Sequence, residues 1–163
     1  MKKLIYTLLI IIALTNNSFS AGSSSDNDST AKISDYSKAK NLIKTAKKYE
    51  KKGKTEKAQK RYAKAQKLLL KSNEIKPLQA DTLNYLGFTT RKLGDYIKGE
   101  EFYLQGLQIE PNHNGINEYL GELYIATNRM DMAKKRLEIL KICNCEEYEV
   151  LKEIIEGTKK SKY

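Results

Sequence analysis

Two cysteines and one histidine are the residues of this chain whose types best suit metal binding, nucleophilic chemistry or redox chemistry. Cys143 and Cys145 are separated only by Asn144, and His113 lies in the turn-like segment "EPNHN". A structural zinc site takes four ligands, and the sequence offers no second Cys/His cluster to complete one. A lone histidine in a turn is typical of a surface residue. We therefore predict no metal, no cofactor and no catalytic residue, and hence a protein that is not an enzyme.

The cysteine pair is a candidate disulfide. On a regular helix two residues that are two positions apart point to opposite sides, so Cys143 and Cys145 could not bond there. A disulfide needs Cα atoms about 4.4–6.8 Å apart and converging Cβ atoms, so "ICNC" would have to leave the helix and turn. The alternative is two partly buried thiols that pack like small apolar residues. The sequence leaves both possibilities open.

The N-terminal segment is typical of a secretory signal peptide. Two lysines precede the apolar run "LIYTLLIIIAL", and small polar residues follow before Ala21. A membrane span needs about 20 apolar residues, so the run is short for an anchor, which is the alternative. We expect a signal peptide at 1–20 that is removed, and a disordered linker at 21–33 that is rich in Ser, Asp and Asn. The mature chain would then be exported, most naturally to the periplasm, without a transmembrane segment.

A repeated pattern indicates how the elements are organised. Residues 85–87 are Tyr-Leu-Gly, and the same three residues return at 119–121, an offset of 34 (119 − 85). Each copy is followed by a small turn and a second apolar stripe at helical spacing. Gly94 and Asn128 occupy the equivalent turn positions, where the chain must adopt a left-handed conformation that Gly and Asn tolerate. Each copy therefore predicts two amphipathic helices joined by a short turn.

A third, degenerate copy lies upstream. Its turn glycine is Gly53, and Tyr62 aligns with Tyr103 of the next copy. The distance from Gly53 to Gly94 is 41 residues (94 − 53), which is longer than the later offset. We place the excess in "KLLLKSNEIKPLQ", as a longer second helix that ends before Pro77.

These residues resemble the tetratricopeptide repeat, and the 34-residue offset is its typical period. Some exported bacterial members of the family show a cysteine pair followed by a similar Glu-Glu-Tyr segment, here residues 146–148, although their cysteines usually lie farther apart than Cys143 and Cys145. The resemblance implies an all-α fold, a right-handed α-solenoid of about three helix-turn-helix repeats closed by a C-terminal capping helix. The expected segments are three repeats at 34–79, 80–113 and 114–145, and a capping helix with a basic tail at 146–163.

The family implies a non-enzymatic scaffold that binds a protein or peptide in the groove lined by its first helices. The version that clamps chaperone C-termini is not expected, because Ile43, Tyr85 and Gly115 occupy positions where it uses polar or basic residues. Tyr85 and Tyr119 have an alternative role, which is packing against the neighbouring repeat. The predicted groove residues are Lys47, Lys51, Asn84, Tyr85, Phe88, Arg91, Glu118, Tyr119 and Glu122.

The positive charge is concentrated in the first repeat. The chain has a net charge of +10. Residues 38–71 contain 14 Lys or Arg and two acids, a difference of +12, whereas residues 80–163 contain 12 basic and 14 acidic residues, a difference of −2. Such a surface can attract an acidic protein or an anionic membrane or polymer, although a solvated lysine-rich face is the simpler explanation. Export disfavours nucleic acid. The alternative function is therefore association with an anionic envelope surface through the first repeat.

Overall fold

The computed structural model describes residues 34–161, which form seven α-helices and no strand. The expected signal peptide at 1–20 and linker at 21–33 lie outside the described residues. No helix in the described part is long and apolar enough to cross a membrane. The helices are α1 (Asp35–Lys51), α2 (Thr55–Ile75), α3 (Ala80–Lys92), α4 (Tyr96–Ile109), α5 (Asn114–Ala126), α6 (Met130–Leu140) and α7 (Glu146–Ile155).

The helices pack as three antiparallel pairs in chain order. α1 packs on α2, α3 on α4 and α5 on α6, while α2 also contacts α3 and α4 also contacts α5. Each pair therefore covers the apolar face of the next, as in a helical solenoid. α7 packs against α5 and α6 at the end of the stack. This confirms the predicted all-α solenoid with a capping helix.

The turns inside the pairs follow the sequence prediction. Gly53 and Gly94 have φ values of +66° and +98°, and Asn128 replaces glycine at φ +60°. The Asp95 side chain then accepts a hydrogen bond from the Lys98 N–H and so caps α4. α2 has 21 residues, against 14 in α4 and 11 in α6. The extra length predicted before Pro77 is therefore present.

Small residues allow the close helix crossings. A Cβ on Gly87 of α3 would meet the ring of Tyr103 on α4, which is fully buried. The capping helix buries Val150, Leu151 and Ile154, and Ile155 is partly buried against the core. α7 therefore turns a face centred on Leu151 toward the stack, and Tyr148 and Ile155 lie at the edges of that face.

Candidate binding groove

The first helices of the three pairs, α1, α3 and α5, curve around a common aromatic centre. Lys47 Nζ on α1 donates a hydrogen bond to Tyr119 Oη on α5 at 3.1 Å. Phe88 of α3 lies between them, with its ring centroid 5.1 Å from that of Tyr119 and 4.5 Å from Lys47 Nζ. A contact from α1 to α5 above a residue of α3 requires the three helices to form a concave face. We call this face the groove.

A buried ion pair supports the aromatic centre. Arg91 and Glu122 have side chains that are 0% exposed, and Arg91 Nη2 lies 3.8 Å from Glu122 Oε2. The Arg91 guanidinium is 5.1 Å from the Phe88 centroid and 5.3 Å from the Tyr119 centroid, within cation–π range. Arg91 and Glu122 were predicted as groove residues, and the structure places them in its buried floor. Breaking such a pair leaves a poorly compensated charge in the interior, so these two residues hold the groove together.

One end of the groove is a cavity of about 510 Å³. The predicted residues Lys47, Lys51 and Phe88 line it, together with Glu50, Thr55, Lys92 and Ser161. Glu50 is fixed from two sides, because Lys92 Nζ lies 2.8 Å from its Oε1 and Tyr62 Oη donates to its Oε2 at 2.7 Å. Lysines outnumber acids in this lining. We call it the basic cavity.

The other end is a cavity of about 350 Å³ with a different lining. The predicted residues Asn84, Tyr85, Glu118 and Tyr119 line it, and seven further residues complete it: Asp81, Glu110, Asn112, His113, Asn114, Gly115 and Glu147. Burial and the nearby Asp81 carboxylate raise the pKa of Tyr85. Tyr85 also packs edge-on against Tyr36 of α1, with centroids 5.9 Å apart. It therefore both lines the cavity and joins two repeats. We call this end the acidic cavity.

His113 is not the surface residue that the sequence suggested. Its side chain is 12% exposed, and its Nδ1 accepts a hydrogen bond from the Ile116 N–H at 3.2 Å, which caps α5. Its Nε2 lies 3.2 Å from Asp81 Oδ1. The position just before a helix is the available sequence signal, but His is not among the preferred capping residues. The contact with Asp81 joins the two ends of one repeat, 32 positions apart, so no local pattern predicts it.

The C-terminal tail returns to the groove. Gly157 follows the end of α7 with a φ of +76°, and the backbone N–H groups of Thr158 and Lys159 then donate to the Glu153 carbonyl. Further along, Ser161 Oγ donates to Glu122 Oε2 at 3.1 Å. The segment 158–161 therefore reaches the basic cavity. No pattern in the sequence of the tail predicts this contact with the groove.

The two cysteines lie in a turn between α6 and α7. Asn144 has a φ of +47°, which breaks the helical path, and the Cα atoms of Cys143 and Cys145 are 5.2 Å apart. Their sulfur atoms are bonded in the structure. The bond fixes the direction in which the chain enters the capping helix.

Comparisons with known proteins agree with this architecture. Residues 80–113, which contain α3 and α4, match the sequence profile of the tetratricopeptide repeat, which confirms the predicted resemblance to that family. The Yersinia enterocolitica type III secretion translocator chaperone SycD is 17% identical, with a TM-score of 0.52 over 77% of this chain and 85% of that chain. The first tetratricopeptide domain of human RPAP3 is 20% identical, with a TM-score of 0.47 over 77% of this chain and 97% of that chain. No curated protein sequence matches the chain.

Proposed function

We propose that this tetratricopeptide-repeat chain is a non-enzymatic scaffold of the cell envelope that binds an extended segment of a partner protein in its groove. The observation that supports this most strongly is the contact from Lys47 to Tyr119 above Phe88. It creates a concave aromatic surface with a cavity at either end. Aromatic and arginine side chains in such surfaces are the usual anchors of protein interfaces.

The groove is preorganised for this role. The pair Arg91–Glu122 fixes the floor, and the rings of Phe88 and Tyr119 pack on it. A rigid receptor loses little conformational freedom on binding, which favours affinity. The fold is compatible with a protein ligand, since SycD is named as a translocator chaperone. Chaperone-tail clamping remains disfavoured, because Ile43 is an apolar residue of the core.

The envelope location rests on the signal-peptide pattern at 1–20 and on the bonded cysteines. Disulfides persist in exported proteins and are rare in the cytosol. N-terminal sequencing of the protein from envelope fractions tests the proposal. We expect a terminus at or near Ala21, and a chain that still begins at Met1 would contradict cleavage.

Peptide selection tests the binding function. Random peptides displayed on phage are selected against the full chain, and the affinities of selected peptides are measured by fluorescence anisotropy. Tyr85→Ala should weaken them at least tenfold, because it removes an aromatic wall of the groove. Tyr96→Ala is the matched control, since Tyr96 is an exposed residue of α4 outside both cavities. Equal effects of the two substitutions at unchanged helicity, or no selected peptide, would refute the groove.

A second candidate function is favoured by the outer surface of α2. Lys57, Lys60, Arg61 and Lys64 follow the i, i+3, i+4, i+7 spacing of one helix face, and with Tyr49 they line a cavity of about 470 Å³. This surface could dock on anionic lipid or envelope polymer. Co-sedimentation with phosphatidylglycerol vesicles tests it. Binding should fall steeply between low and physiological salt, because the Debye length shrinks to about 8 Å.

A further inference from the structure

The acidic cavity has an unusual composition for this chain. The protein contains 30 Lys and Arg against 20 Asp and Glu, yet the described residues that line this cavity include no Lys or Arg. They include four carboxylates from separate parts of the fold: Asp81, Glu110, Glu118 and Glu147. α3, α5, α7 and the turn before α5 therefore bring negative charge to one concave site.

Asn84 adds an unsatisfied polar atom to the same site. Its side chain lines the cavity, the residue is only 6% exposed, and its Oδ1 has no hydrogen-bond partner among the described residues. A buried acceptor without a donor is unfavourable. Gly115 allows Asn84 to take this position, because a Cβ at residue 115 would lie 2.8 Å from Asn84 Nδ2. The chain therefore keeps an unused acceptor at the cavity.

His113, which lines the same cavity, is engaged by its neighbours through both ring nitrogens. Because His113 Nδ1 accepts a hydrogen bond from the Ile116 N–H, the neutral ring has its proton on Nε2, which faces Asp81 Oδ1. That N–H therefore donates to a residue of the cavity lining and is not directed at a ligand. Outside the lining, the pKa of Lys159 is raised chiefly by its hydrogen bond with Glu153, and Glu118 is the one cavity carboxylate that contributes, with the smallest effect.

We propose that the acidic cavity is a subsite for one cationic side chain of the partner, a lysine ammonium or an arginine guanidinium. This rests on the proposed function, because the cavity is one end of the same groove. The Asn84 Oδ1 accepts one hydrogen bond from the ligand, and the carboxylates supply the charge. An anionic side chain is disfavoured, since it would meet four like charges.

Solution NMR of the uniformly ¹⁵N-labelled full chain tests the subsite without the natural partner. The probes are N-acetyl-lysine methylamide, its arginine counterpart, the neutral norleucine isostere and the glutamate counterpart. The lysine and arginine probes should shift the Asn84 and Gly115 amide signals saturably, with dissociation constants in the millimolar range. The norleucine and glutamate probes should leave them unchanged. Equal shifts with lysine and norleucine would overturn the proposal.

Two variants separate charge from shape. Glu110→Gln with Glu147→Gln removes two charges from accessible positions and should weaken the lysine probe at least fivefold, whereas Gly115→Ala should weaken it by displacing Asn84 without any change of charge. Glu138→Gln is the control, since Glu138 is exposed on α6 and pairs with Lys141. An unchanged affinity in both test variants would refute the assignment.

The outcome is distinguishable from failure of the binding function. If selected peptides bind in a Tyr85-dependent way but contain no basic residue, and the lysine probe gives no shift, the subsite is wrong and the groove stands. If no peptide is selected and the lysine probe still shifts Asn84 and Gly115, the cation subsite stands and the peptide groove is wrong.

Discussion

Gly87→Ala should destabilise the protein, although alanine is the better helix former. Gly87 lies on α3, where an added Cβ would be 2.5 Å from Tyr103 Cε1, 2.6 Å from Cδ1 and 2.8 Å from Cζ. Favourable carbon–carbon contacts are about 3.5–4.0 Å, so the methyl group would overlap three ring atoms by roughly 1 Å. Tyr103 is fully buried, so its ring has no open space to move into.

The magnitude follows from two opposing effects. Replacing Gly by Ala inside a helix gains about 1 kcal/mol in propensity, whereas overpacking a core is unfavourable by about 1–3 kcal/mol. A rigid ring with three conflicting atoms lies toward the upper end of that range. We therefore expect the free energy of unfolding to fall by about 1–2 kcal/mol. Urea denaturation followed by circular dichroism at 222 nm measures it.

Gly121→Ala is the matched control in the next repeat. Its Cβ would meet the Leu151 side chain, with 2.6 Å to Cδ2 and 2.9 Å to Cδ1. Those atoms are the end of a flexible side chain on the capping helix, so the loss should be smaller than at Gly87. Tyr103→Leu should rescue Gly87→Ala in a double-mutant cycle, because the smaller side chain leaves room. If Gly87→Ala is as stable as the parent chain, Tyr103 does not pack on Gly87 in solution.

Three further outcomes are expected. In thermal denaturation, His113→Ala should lower the free energy of unfolding by about 1 kcal/mol. His113→Asn supplies a preferred capping residue and should lower it by less. Alkylation of the envelope-derived protein without reductant should leave Cys143 and Cys145 unlabelled in mass spectra, and two labelled thiols would contradict the bond. Truncation after Gly157 should strengthen selected groove peptides in fluorescence anisotropy, since Ser161 no longer occupies the basic cavity, and an unchanged affinity would mean that the tail does not compete.

The fold was predictable because its determinants are local. Gly94 and Asn128 mark their turns through backbone conformations that few other residues tolerate, and the 34-residue offset repeats the same local solution. The long second helix of the first repeat was predicted from the longer spacing between Gly53 and Gly94 and from Pro77, before which the helix must end. None of these arguments needs a contact between distant parts of the chain, so the sequence alone was sufficient.

The depth of the groove residues was not predictable. The positions of Arg91 and Glu122 within their repeats predict that they lie on the groove face. Their burial, however, results from the ion pair between two repeats. The second contact of His113 is likewise with a distant residue, Asp81, 32 positions earlier. Such contacts form only when the solenoid stacks, and no periodic pattern encodes them. Binding by the nine predicted groove residues therefore stays a prediction.

The two ends of the groove differ in charge, and this predicts the direction in which a peptide binds. The basic cavity contains Lys47, Lys51 and Lys92 against Glu50, whereas the acidic cavity contains four carboxylates. The aromatic pair Phe88–Tyr119 separates them. A bound peptide should therefore place acidic side chains near α1 and a basic side chain between α3 and α5, with apolar residues above the rings.

A pair of peptides with the same composition tests this orientation. One is a selected binder, and the other has its acidic and basic residues exchanged while its apolar residues stay in place. Net charge and hydrophobicity are identical, so non-specific attraction to the +10 chain is the same for both. The exchanged peptide should bind at least tenfold more weakly at physiological salt, because each charged residue then faces like charge. Equal affinities in fluorescence anisotropy would show that the groove reads apolar residues alone, and that the opposed charges of its two ends do not orient the ligand.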